Sequence, residues 1–491
     1  MYEIISISFK GGIISPGKLL NILIAVTKSN IRFVRFGLRQ QLLIDMEAYK
    51  LKAFTIELDA LGIDYEVNAS NYPNIISSYP AEEIFIRNTW LTEDVYKDIL
   101  DAIDFKPSVK VNLCNSNQSF TPMLTGNINW IAAVDNEHYW HLIIRFPKTN
   151  VIFEWGQLCY TNSLPEVTKR IAKLLTENLL SDAPQHTNGA ALFSALTTEN
   201  LILKDADHKV DLPNFNLPYY EGLNRYFNKY WLGVYSRDEL FSVAFLKKMC
   251  EMCLATKLGQ LCCTPWKSII IKGINEKDKG LWSNLLETYN INMRHAANEL
   301  NFQVEDNCEE GLMLKNYLVN FLSAGDTRTS GICFGIKTRR KSEVFSSILI
   351  RRRHLINFAG LKLFALYDIL CAKDFNPNER TGVVFSAGNP KFLVPEQLRR
   401  SVIKFYNYRA SATQTQSTPA LNKSENSVLA EKKFLNQCMN CLSIYNESLG
   451  ETDQNIRAGT PFEDLPETYC CPLCETEKKH FREIDSITLG L

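Results

Sequence analysis

Two Cys-x-x-Cys pairs, Cys438/Cys441 and Cys471/Cys474, stand near the C-terminus of this 491-residue chain with 29 residues between them. Four thiolates drawn to the corners of a tetrahedron suit iron or zinc and few other metals. A segment of about fifty residues needs such a staple, because its own core is too small to hold it. The other ten cysteines are scattered or adjacent with no paired framework, as expected where thiols stay reduced. A metal-stapled module should therefore follow a body with conventional hydrophobic cores.

Lys plus Arg and Asp plus Glu each number 54, so the whole chain gives no electrostatic reason to seek nucleic acid or an anionic membrane. The balance conceals an asymmetry: residues 434–485 hold ten acids against four bases, net −6, which leaves the remainder at +6. Met1-Tyr2-Glu3-Ile4-Ile5-Ser6 has no basic stretch leading into a long apolar run, and apolar runs such as Leu19 to Val26 are too short to span a bilayer. The expectation is a soluble cytoplasmic protein with neither membrane nor nucleic acid as a partner.

The length suggests roughly three or four domains. Two segments, from about Phe9 to Val67 and from about Trp231 to Asn290, share a pattern of helix, β-rich stretch and second helix. In the second, Ser236-Arg237-Asp238-Glu239 reads as a capping box opening a helix through Leu240, Phe241, Phe245 and Met249 that Gly259 stops. A strand should span Leu261 to Ile271, and Trp282 to Tyr289 should be helical. Between the copies, strands are expected near Val109–Leu113, Ile128–Val134 and His141–Phe146, with a helix over Pro165–Leu180. After them, Glu309–Leu322 and Ile356–Leu370 read as helices, Ile332–Lys337 and Val344–Arg351 as strands. Ser411 to Lys433 is poor in apolar residues and reads as a flexible linker. The predicted class is α+β, divided into half-domains at 1–70 and 226–292, mixed regions at 71–225 and 293–410, the 411–433 linker and a metal domain at 434–485.

The tail can be placed in a family. The 29-residue spacing, together with Ile444-Tyr445, Gly459-Thr460-Pro461-Phe462-Glu463-Asp464-Leu465-Pro466, Tyr469 and Phe481, closely resembles rubredoxin over about fifty residues. The resemblance implies one iron ion cycling between ferric and ferrous states in a site made by Cys438, Cys441, Cys471 and Cys474. Tyr445, Phe462, Tyr469 and Phe481 would form the aromatic core, and Leu442 and Leu473 would limit water access. In rubredoxins a glycine usually follows the second cysteine of each pair, where the backbone favours φ > 0; here Leu442 and Glu475 stand there. A zinc ribbon is the alternative, since the same sulfurs accept zinc. Its intervening loop is commonly shorter, about 15 to 20 residues. Cys470, beside a ligand, reads as a packing residue.

In the body, Ile31-Arg32-Phe33-Val34-Arg35-Phe36-Gly37-Leu38-Arg39-Gln40 is similar to the strand and turn of the ferredoxin-like half-domain of sulfite and nitrite reductases, and Gly259 to Ile274 looks like its second copy. Arg294 to Gln303 and Gly331 to Arg353 resemble the later sirohaem-binding part, so the likeness spreads over most of residues 8–355. An active member would couple sirohaem to a [4Fe-4S] cluster through Cys-x5-Cys and Cys-x3-Cys, and neither spacing occurs in the body. Cys250 and Cys253 lie one turn apart on an apolar helix, as buried thiols do. Arg32, Arg35, Arg39, Gln40 and Lys267 are candidates for holding tetrapyrrole carboxylates or a partner's acidic patch, since Arg forks match carboxylates. Lys337, Arg339, Arg340 and Lys341, then Arg351, Arg352 and Arg353, form basic runs flanking a strand, read as solvated ends or as a dock for the acidic tail. His138, His141 and His354 lack metal-ligand spacing, and nothing resembles a glycine-rich phosphate loop or a Ser-His-Asp set.

These readings converge on an electron carrier with no catalytic residues of its own, serving nitrite or sulfite assimilation through a separate reductase or an NAD(P)H-dependent donor. The alternatives are a tetrapyrrole-binding reductase fed by its own tail, and a zinc-stapled adaptor.

Overall fold

Alternation along Tyr2–Ile7 and Leu42–Glu47 sends Ile5, Ile7, Leu42, Ile44 and Met46 into one core, while helix Pro16–Lys28 adds Leu19, Ile22, Leu23 and Val26 at helical spacing. Ser15 caps that helix, accepting the Lys18 N–H at 3.3 Å, and Pro16 occupies its first turn. The computed structural model describes residues 2–485 except 70, 87–88, 148, 177–188, 340–343, 359–360, 380–381, 417–433, 441–443, 446, 448–449, 452–453, 455, 458, 473 and 475. Two compact units divide it, Met1–Thr413 and Gln414–Leu491.

Within the first unit the two sequence copies become matching half-domains. One sheet runs Phe241–Ser242, Phe33–Phe36, Leu42–Glu47, Tyr2–Ile7, Glu66–Val67; the other runs Gly222–Tyr226, Lys229–Val234, Ile269–Ile274, Leu261–Cys263, Ile13–Ile14. Each sheet is completed by a two-residue strand from the other half. Phe241 and Ser242 pair with Val34 and Phe33, and Ile13 and Ile14 pair with Cys262 and Leu261. Helices Pro16–Lys28 and Val243–Ala255, each following its traded strand, pack together over one shared core.

A six-strand path, Leu203–Asp205, Gln157–Tyr160, Tyr139–Arg145, Ile128–Ala132, Val111–Cys114, Ile76–Ser77, builds the region between the halves, with Ile152–Glu154 added against Tyr139–Arg145. Trp130 and Trp140 fill its core. The last part of the unit is a sheet ordered Phe302–Val304, Phe334–Lys337, Ile348–Phe358, Leu361–Ala372, Gly382–Asn389, with helices Glu309–Ala324 and Val394–Gln416 packed on it. The second unit holds a three-stranded sheet, Ile444–Tyr445, Phe434–Cys438, Phe481–Asp485.

Several expectations fail for identifiable reasons. The helix of the second half starts at Val243 with Ser242 as its cap, not at Ser236. Ser236 instead donates to the Leu240 carbonyl at 2.7 Å, Glu239 turns the chain with φ 58°, and Phe241 is drawn into the neighbouring sheet. The helix stops at Ala255, ahead of Gly259, because Lys257 takes a left-handed φ of 59° and Leu258 N–H closes onto the Cys253 carbonyl at 2.8 Å. The strand expected over Leu261–Ile271 is a hairpin folded at Thr264–Lys267. Ile356–Leu370, read as helix, lies in the hairpin Ile348–Phe358/Leu361–Ala372. There Ile348, Ile350, Ile369 and Cys371 share one face, and pairing with neighbouring strands overrides local helix preference. The strand expected from Val344 begins at Ile348. The 164–176 helix matches its expectation up to Thr176; residues 177–180 lie outside the described residues. Helix Val394–Gln416 runs through the first residues of the expected linker, whose positions 417–433 also lie outside them.

Candidate metal centre

Cys438 ends strand Phe434–Cys438, where it pairs with Phe481, and Met439 N–H bonds the His480 carbonyl at 3.0 Å. This fixes one sulfur at the end of the sheet's central strand. Cys471 and Cys474 lie on a turn closed by Cys471 N–H to the Thr476 carbonyl at 2.8 Å. The three Sγ atoms lie within 4.8 Å of one another, and Cys438 Sγ is 3.6 Å from Cys474 Sγ. A tetrahedron with metal–sulfur bonds of about 2.3 Å has edges of about 3.8 Å. The observed spacing and the soft donors therefore fit one tetrahedral ion. Cys438 and Cys471 are buried, and Cys474 is partly exposed. Cys441, Leu442, Leu473 and Glu475 lie outside the described residues.

The predicted aromatic core forms. Tyr445, Phe462, Tyr469 and Phe481 pack with ring centroids between 5.2 and 6.2 Å apart, joined by Ile456 and Leu465. The Tyr445 hydroxyl donates to the Thr460 carbonyl at 2.9 Å, which satisfies the one polar atom its burial threatens. Lys478 reaches the Leu465 carbonyl at 2.7 Å, and Gln454 holds the Cys470 backbone through both its amide atoms. The Cys470 thiol faces the Thr468 carbonyl and lies outside the sulfur trio. Sequence reasoning missed Thr476, whose hydroxyl is 3.1 Å from Cys474 Sγ. A hydroxyl two residues after a ligand was the available signal.

In the body, Arg35, Arg39, Gln40 and Lys267 sit among the chain's own groups, whereas Arg32 is exposed. Arg35 pairs with Asp45 at 3.6 Å. Buried Arg39 donates to the Asn74 carbonyl at 2.7 and 2.9 Å and to the Val111 carbonyl at 3.0 Å. Gln40 exchanges two hydrogen bonds with the Ser77 backbone, at 2.9 and 3.0 Å. Lys267 meets Glu239 at 2.6 Å and Asp306 at 3.4 Å. Arg39, Gln40, Asn74 and Ser77 are thus brought together, and Lys267 belongs to the corresponding turn of the other half-domain. Asp306 touches both turns, because its carboxylate also accepts the Leu38 N–H at 3.0 Å. Nothing in the local sequence marked Asp306, 268 positions from Leu38. Arg351 and Arg353 share the Asp368 carboxylate, at 3.0 and 3.1 Å, and Arg352 pairs with Glu310. Arg340 and Lys341 lie outside the described residues. Cys250 and Cys253 are buried in the shared core, where burial pushes the Cys250 thiol up to about 12.

Comparison with known proteins follows this division. The rubredoxin family model matches residues 436–481. Over 49 residues, 10% of this chain and 87% of the relative, the sequence is 55% identical to a probable Rubredoxin-2 of Methanocaldococcus jannaschii. Over 58 residues, 12% of this chain and 89% of the relative, it is 45% identical to a probable rubredoxin of Methanothermobacter thermautotrophicus. The solved structure of the Mycobacterium tuberculosis NirA protein superposes with a TM-score of 0.62, covering 84% of each chain at 14% identity, a likeness of fold. The rubredoxin domain implies iron-based electron transfer, and no helix among the described residues is long and apolar enough to cross a membrane. Through residues 436–481 the chain belongs to the rubredoxin family.

Proposed function

We propose that this protein carries single electrons in nitrite or sulfite assimilation, with Cys438, Cys441, Cys471 and Cys474 holding one iron ion and the NirA-like body serving as the scaffold a redox partner recognises. The partner is a separate nitrite or sulfite reductase, or the NAD(P)H-dependent donor that feeds one, in the cytoplasm. The observation that carries the reading is the sulfur trio of Cys438, Cys471 and Cys474, set in a domain of the rubredoxin family.

When bound, the iron supplies one-electron ferric/ferrous chemistry. The chain's residues supply the rest. The cysteines bind as thiolates, which a soft tetrahedral cage requires. The Tyr445, Phe462, Tyr469 and Phe481 rings keep water from one side of the site, and the Thr476 hydroxyl lies within reach of one sulfur. Support for the pathway comes from the fold shared with the NirA protein.

The test uses protein purified after growth with ample iron. It should contain one iron per chain, bleach on dithionite, and be reoxidised by a sirohaem nitrite or sulfite reductase turning over its substrate. One zinc per chain and no bleaching would sink the electron-carrier reading. Normal bleaching without reoxidation by either reductase would remove the assimilation assignment alone. Stoichiometric tetrapyrrole absorption would replace the scaffold role with a reductase role.

A further inference from the structure

We infer that the hollow between the two half-domains binds a small organic anion, a carboxylate or phosphate carried on an aromatic or aliphatic frame. Ile31, Arg32 and Phe33 of the first half and Ser242, Lys247 and Tyr289 of the second line a cavity of about 510 Å³. That volume falls in the range of about 300–1,000 Å³ usual for small-molecule sites. Its floor is the traded strand: Phe33 pairs with Ser242, and Val243 N–H bonds the Arg32 carbonyl at 2.9 Å. The two halves therefore meet here by a fixed backbone register; the first supplies Arg32 and the second Lys247 and Lys248.

The charges decide the ligand's sign. Among the described residues Glu251 is the one acid on the lining, and Lys248 holds it at 2.6 Å. Arg32 and Lys247 have no side-chain hydrogen bond or ion pair among the described residues. Two cations without a charge partner among the described residues, one from each half-domain, line one concavity and favour a ligand with a carboxylate or phosphate head, which an Arg fork grips in two places. The remaining lining decides the frame. Val34 and Phe36 turn inward along their strand, whereas Phe33 points out and is 50% exposed. Tyr289 rests on Phe245 at a centroid distance of 5.7 Å. Phe33, Tyr289 and Ile31 thus offer apolar surface beside the cations, which a bare inorganic anion would leave uncovered.

The probe is 8-anilinonaphthalene-1-sulfonate, an aromatic anion, titrated into the full-length protein and followed by its fluorescence. Saturable binding is expected, with displacement by benzoate or AMP. The Arg32→Gln/Lys247→Gln variant should bind roughly tenfold or more weakly, and Phe33→Ala should lose a similar factor. The uncharged N-phenyl-1-naphthylamine should bind the unaltered protein at least about tenfold less tightly. Unchanged circular dichroism and an unmoved main unfolding transition establish that each variant is folded. Equal probe affinity in the double variant, equal affinity for the uncharged analogue, or no saturable binding overturns the site. Should the double variant not fold, acetylation of Lys247 in the unaltered protein decides: the bound probe should slow it severalfold, and an unchanged rate overturns the proposal.

Discussion

Gln40 and Lys267 close equivalent hairpin turns, one in each half-domain, and both hold a left-handed backbone, φ 59° and 55°. Gln40 N–H returns to the Gly37 carbonyl at 2.9 Å, and Lys267 N–H to the Thr264 carbonyl at 3.1 Å. The side chains then serve different ends. Gln40 locks the Ser77 backbone, while Lys267 neutralises Glu239, both ions being nearly sealed from water.

Replacing Lys267 by Met should therefore strand the Glu239 carboxylate. Breaking a buried pair costs about 3–5 kcal/mol, far above the ~1 kcal/mol ceiling of an exposed one. Urea unfolding of Lys267→Met should show that loss, and Lys267→Met/Glu239→Leu should recover most of it. A loss near the exposed-pair value would contradict the burial argument.

Glu82 should make stability pH-dependent. Burial raises its carboxyl to about 7, against a partly opposing Lys272, and Oε2 has no hydrogen-bond partner among the described residues. The folded state thus prefers the protonated acid. The contribution is full below the unfolded value of 4.5 and is lost as pH rises through about 7, up to about 3 kcal/mol in all. Glu82→Gln should flatten the unfolding profile across that window and exceed the unaltered protein in stability at about pH 8. A parallel slope in the variant would assign the effect to another group.

Thr476 offers a hydroxyl to a ligand sulfur, 3.1 Å away. Hydrogen bonds to thiolate ligands favour the reduced site. A bond of about 1 kcal/mol corresponds to roughly 40 mV for one electron. Thr476→Val should lower the reduction potential by about that much in protein-film voltammetry. An unchanged potential would mean that the hydroxyl points elsewhere when the metal is bound.

Cys438→Ser should unfold the tail and leave the body intact. Among the described residues, the tail's core is made by Tyr445, Phe462, Tyr469, Phe481, Ile456 and Leu465. Metal binding in small structural zinc domains supplies about 10–16 kcal/mol, more than so small a core can replace. Tail tyrosine signals in NMR should collapse to the unfolded positions, with the main unfolding transition unmoved. Loss of both together would show that the units do not fold independently.

Features carried by local chemistry were legible in the sequence. The cysteine spacing announced the metal site, and Tyr445, Phe462, Tyr469 and Phe481 announced its core, because a fifty-residue domain has few other large side chains to bury. The two half-domains showed through their repeated order of elements. What escaped depends on distant partners. Ser236 and Ser242 are equally good caps by type, and only pairing of Phe241 with Val34 selects the later start. Ile356–Leu370 has helical periodicity as well as strand residues, and neighbouring strands settle the choice. Asp306 links Leu38, 268 residues earlier, to Lys267, 39 residues earlier, which no local pattern encodes.

The traded edge strands make the body indivisible at the level of the gene. A fragment ending before Gly222 would lack the partner for Val34 and leave Ile13 and Ile14 without the strand they complete. Each severed piece would carry a raw sheet edge, a template for promiscuous pairing and precipitation. A gene that lost either copy would therefore encode a half whose sheet lacks the strand the other half donates.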